Sequence, residues 1–494
     1  MPETLSNRLP PIVFEEKSMR RLRGVRKSFY ANRSPYHFEK VSAAFGIALH
    51  MHQPTIPASN ADLSSAELIS NLRYMMEHQE IHDNHNAPVF FQCYQRMADL
   101  IAQLVDRGKN PRIMLDYSGN LLWALSEMEN GRAIEKLRTI ASQAKYQPHV
   151  EWLGTMWSHA VVSSTPVPDI DLHMKAWLQH FANLFGEEAC QRVKGFSAPE
   201  MHLPIDPDVC YEYVRALREN GYEWLLVQEH TIQQPDGKPI QRPNYPHRLV
   251  AKNSSGQTAE IIVLIKTQGS DTKLVGQMQP YYEAKSKTPQ DYQGKVLSPY
   301  VVQIGDGENG GVMMNEFPPA YFKAFEEIGS NPEGTVAMNG SEYLEFVQET
   351  GLKTSDFLPV QPIMQNHIWE FFSGRGRADM EKAILASQKK YPGFHLEKAS
   401  WTNNLNWIEG YENVLDPMRR LSAEFHKKFD QQAAPSPNSY HQALLYLLLS
   451  QTSCFRYWGQ GIWTQYAQEI CRRGMQVLQA VYSATPRRGG ASQQ

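Results

Sequence analysis

Two short segments place carboxylates where an apolar run gives way to a polar loop. Glu200 follows Pro199 in VKGFSAPEMHLP (193–204), and Asp306 and Glu308 stand among four glycines in YVVQIGDGENGG (300–311). Two acids brought to one hollow suit glycosidic cleavage, in which one attacks or stabilises the anomeric carbon and the other protonates the leaving oxygen. A separation of about 5–5.5 Å goes with retention through a glycosyl-enzyme, and about 6.5–9.5 Å with inversion. Taken singly, each acid also reads as a solvated loop residue, and DGENGG as a β-turn. A calcium loop is not matched, because D-x-[DN]-x-[DN]-G with its closing Glu is absent.

A second polar group lies in ALHMHQP (48–54), where His50 and His52, two apart on an extended run, project to the same side. Such a pair suits hydrogen bonding to a sugar or plain packing. With Asp306 it also suits a Zn²⁺ site for hydrolysis. Rings cluster beside these motifs: Trp152, Trp157, Trp401, Trp407, Tyr457, Trp458 and Trp463. Flat rings stack on the apolar faces of pyranoses, although each ring alone reads as core.

The elements that must carry these residues are apolar, β-branched runs at 43–50, 112–117, 150–154, 193–198, 223–228, 260–266, 300–305 and 335–340. Helical stretches intervene, among them Asp171–Phe185 and Asp208–Asn220 before a C-cap Gly221. This alternation predicts an α/β fold with a parallel barrel of seven or eight strands, whose chemistry sits at the strand ends. Beyond about residue 375 the pattern becomes helical, over Arg377–Lys390, Asn413–Phe429 and a single stretch Tyr440–Tyr482, with a polar break at 431–439. The expected divisions are an N-terminal arm (1–40), a barrel (41–375), a helical C-terminal region (376–485) and a tail (486–494). Seven basic residues between Lys17 and Arg33 mark the arm as solvated.

Composition narrows the partners. With 49 Lys and Arg against 52 Asp and Glu among 494 residues, the chain carries a net charge of −3 and lacks the basic field of a nucleic-acid binder. Five cysteines without a C-x-x-C pair fit neither a disulfide framework nor a zinc ribbon and suit a reducing compartment. The strongest apolar run, Leu444–Leu449, falls far short of the roughly 18 residues of a membrane span, and no secretory leader is evident. A cytoplasmic protein with no membrane partner is expected.

The ordered set ALHMHQP, EWLGTMWSHAVV, GFSAPEMHLP, IGDGENGG and LLLSQTSCFRYWG resembles the five short sequence regions of glycoside hydrolase family 57, and MLDYSGNLLWAL (114–125) is also similar to that family. The resemblance runs from about residue 43 to 466. It implies an incomplete (β/α)₇ barrel and a helical bundle that completes the active-site wall. It further implies a retaining enzyme of the α-amylase, amylopullulanase or 4-α-glucanotransferase kind, acting on an α-glucan or maltooligosaccharide without a cofactor or metal. Glu200 would be the nucleophile and Asp306 the acid/base, with His52 and His159 near the scissile bond. His50, Gln53, Trp157, Glu308, Trp407, Tyr457 and Trp458 complete the expected substrate contacts. Three departures bear on subsites and bond specificity: Ala160 after His159 where proline is frequent, Ser197-Ala198 where an aromatic often precedes Pro-Glu, and Cys454 where many members carry Asp. Two other readings stand beside this one: a non-catalytic glucan-binding or regulatory homologue, and the His-x-His metal-dependent hydrolase.

Overall fold

The computed structural model describes residues 9–484 apart from 24–27, 59–61, 268, 270, 310, 330, 332, 403 and 431–436. The predicted tail, the start of the arm and most of the polar break lie outside the described residues. Seven parallel strands form the frame: β1 (Val41–Met51), β2 (Ile113–Tyr117), β3 (Val150–Leu153), β4 (Gly195–Ser197), β5 (Trp224–Gln228), β6 (Thr258–Lys266) and β7 (Tyr300–Asp306). They run in the order β3-β2-β1-β7-β6-β5-β4. The ends of this curved sheet meet only at the parallel bridge Gly154↔Phe196, and β6 touches β7 through one register pair, Lys266↔Val302. The result is an incomplete barrel, as expected. An eighth strand, β8 (Gly334–Ala337), lies along the start of β1.

Alternation along the strands separates inside from outside. On β1, Ala44, Gly46 and Ala48 face inward and are small because the bulky Tyr300, Met114 and Trp224 fill the interior; a Cβ on Gly46 would collide with the Tyr300 ring. Outside, β6 is extended by the antiparallel strand His247–Lys252, itself flanked by the parallel Leu358–Pro362. Neither was among the runs read from sequence, because each is short and carries charged, proline or half-buried positions.

Two expectations are corrected. The arm is not simply solvated: Ile12, Met19 and Leu22 are buried, and the helix Glu16–Arg23 lies on the helices Val167–Phe185 and Glu187–Gln191. Further along, the Glu345 carboxylate accepts the backbone N–H groups of Phe29 (2.9 Å), Tyr30 (2.6 Å) and Ala31 (2.9 Å). Basic residues lie beside this apolar stripe, and net composition concealed it. Nor is Tyr440–Tyr482 one helix. Pro437–Ser450 and Ile462–Ala484 are separated by a turn carrying the short helix Cys454–Tyr457, with Gly459 and Gly461 at positive φ. Polar side chains in the turn point inward: Gln451 donates to Asp169 (2.6 Å) and Ser453 meets His159 (2.6 Å). Glu412–Phe429 packs with these two helices into the predicted helical region. All five cysteines are buried free thiols. Among the described residues no helix is long and apolar enough to cross a membrane.

Candidate active site

Strand register assembles the first half of the site. His50 on β1 lies opposite Asp306 on β7 and Asp116 on β2. In-register residues of parallel neighbours project to the same face, here the barrel interior. His50 Nδ1–H donates to Asp116 Oδ2 at 2.8 Å, and Asp116 is wholly buried. Burial alone would pull the imidazole pKa down, but the charge and hydrogen bond of Asp116, with Asp306 and Glu308 beyond, raise it to about 9. His50 is therefore a resident cation facing the acids.

Two further imidazoles stack beside it. The rings of His52 and His159 are 4.2 Å apart and nearly parallel, and His159 lies 4.7 Å from His50. Burial and the neighbouring His50 charge hold both pKa values well below the ordinary range, so these rings are neutral. The Ser118 hydroxyl accepts the N–H of Leu121 as an N-cap (3.3 Å) and contacts His52 Nδ1 at 2.7 Å. That contact occupies His52 Nδ1 and leaves Nε2 as the ring nitrogen free for substrate. Among the described residues neither His52 Nε2 nor His159 Nε2 has a partner. Buried ring nitrogens without partners, able to donate or accept, suit substrate hydroxyls.

Loops assemble the second half. Just past β4, Glu200 takes the left-handed φ of +58° and Met201 +46°, and His159 on the loop after β3 takes +61°. Such backbone is strained for non-glycine residues and recurs at functional sites. The Glu200 Oε2 atom accepts the Trp401 indole N–H at 2.9 Å. Burial raises the Glu200 pKa, the indole lowers it, Asp306 raises it and His50 lowers it; the result is about 7. Burial likewise raises Asp306 against the pull of His50. Glu308, raised by burial and by Asp306, reaches about 8, and its buried Oε2 has no partner among the described residues. Asp306 and Glu308 thus compete for protons beside one cation.

The structure brings Glu200, Asp306, Glu308, His50, His52, His159 and Tyr457 together. Tyr457 is raised by burial and then by the charges of Glu200 and Asp306, which puts its hydroxyl within reach of both fields. Cys454 sits by Glu200 and Glu308, and burial pushes its thiol up to about 12, so it is neutral at physiological pH. Trp458, 59% exposed, lies at the rim. Three expected sugar contacts are placed differently. Trp157 is wholly buried, with its indole N–H on His180 (3.1 Å) and its ring filling the space above Gly119. Trp407 is wholly buried behind Tyr457, the two rings stacked 6.1 Å apart. Gln53 spends its amide on Tyr94 (3.1 Å) and Asn71 (3.0 Å), bracing the His52 turn.

The metal alternative is also placed differently. Among the described residues the His, Cys, Asp and Glu atoms that converge as potential ligands belong to His395, Glu397 and Glu409, whereas His50 and His52 give their Nδ1 atoms to Asp116 and Ser118. Sequence reasoning missed Asp116, Ser118 and Ser453 as partners of the three histidines, and Trp401 as the donor to Glu200. Asp116 and Ser118 had a local signal, at the end of the run RIMLDY and at a helix N-cap. Trp401 and Ser453 had none.

The residues that carry this geometry fall largely within a recognised segment. Residues 46–274 match the family model of glycosyl hydrolase family 57. This part of the chain is similar to that family. The match includes His50, His52, Asp116, His159 and Glu200, while Asp306, Trp401 and Ser453 lie beyond it. No curated protein matches the chain. Among solved structures the chain is similar in fold to the 4-α-glucanotransferase of Thermococcus litoralis, with 17% identity over 87% of this chain and a TM-score of 0.52. The chain spans 57% of that protein's length. It is also similar to an α-amylase of Thermotoga maritima, with 10% identity, 90% and 93% of the two chains covered and a TM-score of 0.49. A branching enzyme of the same family from Pyrococcus horikoshii gives 13% identity, 88% of both chains and a TM-score of 0.46.

Proposed function

We propose that the chain is a retaining glycoside hydrolase or transglycosylase acting on α-glucans, glycogen-like or maltooligosaccharide. The observation that carries this reading is that the Asp306 charge raises the Glu200 pKa while the His50 cation lowers both, so that two buried acids from different strands stand near one cation at the strand ends. The match to glycosyl hydrolase family 57 supports it.

In this reading the Glu200 carboxylate attacks the anomeric carbon while protonated Asp306 gives its proton to the departing oxygen. A glycosyl ester on Glu200 results. Water or a glucan hydroxyl, deprotonated by Asp306, then opens the ester with a second inversion, so the product keeps the α configuration. Burial favours the protonated form of Asp306 that the first step needs, and Glu200 is ionised above about pH 7. His52 and His159 offer Nε2 atoms to the sugar hydroxyls, and Tyr457 and Trp458 offer faces for stacking. The barrel (41–375) and the helical region (376–485) act as one unit, since residues of both surround the bond. A reducing compartment such as the cytoplasm suits the five free thiols.

Incubation with maltoheptaose, amylose and pullulan tests this. Turnover with α-anomeric first products is expected, and Glu200→Ala should abolish it. Longer and shorter oligomers together mark transfer, and shorter ones alone mark hydrolysis. Undiminished turnover in Glu200→Ala, a β-anomeric first product, or glucan binding without turnover would overturn the proposal.

A further inference from the structure

We infer that Trp401 is a positioning residue for Glu200, an N–H donor that aims the carboxylate and tunes its departure, rather than a ring on which sugar stacks. The inference rests on the reading of Glu200 as nucleophile.

Four contacts carry it. The Trp401 indole N–H donates to Glu200 Oε2 at 2.9 Å, and the Trp401 backbone N–H donates to the Glu200 carbonyl at 3.0 Å. One residue therefore grips both the side chain and the main chain of the other. The Ser400 hydroxyl adds a second bond to the Glu200 carbonyl (3.1 Å), and Leu203 N–H donates to the Ala399 carbonyl (2.9 Å). Segments 399–401 and 200–203 are thus laced side by side, which accounts for how Glu200 is held at a φ that non-glycine residues seldom adopt.

The lacing segment is itself anchored. His230, just beyond β5, donates from Nε2 to the Ser400 carbonyl at 2.8 Å, and the Glu397 carboxylate accepts the N–H of Ile408 at 2.8 Å. Trp401 is buried and stands edge-on to His50, 6.3 Å between centroids at 87°. A ring so little exposed, with its N–H on the Glu200 carboxylate, fits a bonding role better than a stacking role.

The donor acts at two points in the reaction. With Oε2 held, Oε1 is the oxygen directed at the anomeric carbon, and the bond C1–Oε1 forms as the bond to the leaving oxygen breaks. When the ester opens, the C1–Oε1 electron pair returns to the carboxylate. The indole N–H then stabilises the negative charge that redevelops. Both effects belong to transition states, and neither needs substrate contact with Trp401.

Trp401→Phe keeps a ring and removes the N–H. With the full chain and maltoheptaose, kcat is expected to fall on the order of 10- to 100-fold, with KM changed less than about twofold. The acid limb of kcat/KM should move to higher pH, because the bond that lowers the Glu200 pKa is gone. Trp401→His, which retains a ring N–H, should recover part of the lost kcat and bring the limb back toward its original position. Thermal melting of both variants shows that the protein compared is folded. A rise in KM with kcat and the pH limb intact would assign Trp401 to sugar stacking and overturn the inference. So would equal kcat and an equal limb in Trp401→His and Trp401→Phe. If Glu200→Ala stays active, the nucleophile reading fails first; if Glu200→Ala is inactive while Trp401→Phe matches the parent, this inference alone fails.

Discussion

The two halves of the site are built by different means. Around His50 the geometry comes from strand register: β1, β2 and β7 pair in parallel, and each contributes one inward residue at the same level, His50, Asp116 and Asp306. Around Glu200 and His159 it comes from left-handed loop residues tied to distant chain, Trp401 at a separation of 201 positions and Ser453 at 294. The first half is charged and buried. The second is held by hydrogen bonds made by uncharged side chains of the C-terminal part of the chain. Disturbing the His50–Asp116 pair of the strand half should therefore be felt in stability and its pH dependence, and disturbing the loop half in catalysis with the fold intact.

The largest effect is expected at Asp116. Asp116→Asn leaves the buried His50 without its counter-charge, and removing one partner of a buried pair costs about 3–5 kcal/mol. The parent's pH profile carries the same signature. Folded, His50 holds its proton to about pH 9, against about 6.5 when unfolded. Its contribution to stability is therefore complete below about pH 6.5 and is lost as the pH rises through about 9. Urea midpoints at pH 6, 7.5 and 9 should fall more steeply for the parent than for Asp116→Asn. Parallel profiles would show that the His50–Asp116 pair does not set this slope.

Next in size is the contrast between neighbouring acids. Asp306→Asn should lower kcat by about 10²–10⁴-fold, the range of a lost general acid. Glu308→Gln should keep most of kcat but move the alkaline limb of kcat/KM to lower pH, because a neighbouring negative charge that favours protonation of Asp306 is removed. In the parent, activity should decline below about pH 7, where Glu200 gains a proton, and at alkaline pH as the Asp306–Glu308 pair gives its proton up. Equal losses of kcat in the two variants would break the assignment of roles.

What was legible in the sequence follows the same division. Strand ends announce themselves locally, so ALHMHQP and QIGDGENGG pointed to His50 and Asp306 and to the barrel that joins them. The alternation that marks a strand also fixes which side chains turn inward. Nothing within ten residues of Glu200 foretells an indole donor from 401, because that contact depends on how a loop after the barrel folds back. Exposure was equally hidden. Trp157, Trp407 and Trp458 look alike in sequence, yet two are sealed and one is open, since ring burial is a property of assembled neighbours. The arm misled for a related reason: its basic residues are local, whereas the cover over Met19 and Leu22 comes from helices far along the chain.

Ser453 tests whether the loop half is as modular as its bonds suggest. Its hydroxyl meets His159 Nδ1 at 2.6 Å, and its backbone N–H donates to the His159 carbonyl at 3.3 Å. Ser453→Ala removes the first and keeps the second, so the left-handed turn at His159 should persist while the ring loses its orientation. One buried hydrogen bond contributes about 0.5–1.5 kcal/mol. The expected result is a fall in kcat/KM of roughly 2- to 13-fold with little change in melting temperature. A large loss of stability would mean that this half too is structurally committed.

The smallest effect is expected at the rim, and it separates rings that stack on sugar from rings that fill the core. Trp458 is exposed and lies 6.2 Å from Trp463, which leaves a face for a glucosyl unit outside the hollow. An aromatic contact of this kind contributes about 0.5–1.5 kcal/mol, so Trp458→Ala should raise KM by roughly 2- to 13-fold on long chains and less on maltotriose, with kcat nearly unchanged. Trp157→Ala reverses the pattern: removing a buried ring should cost about 3–5 kcal/mol of stability, while the variant that remains folded keeps its dependence on chain length. If Trp458→Ala alters short and long substrates equally, the rim ring belongs to the hollow itself, and the line between the catalytic wall and its margin falls further out than the burial of these rings suggests.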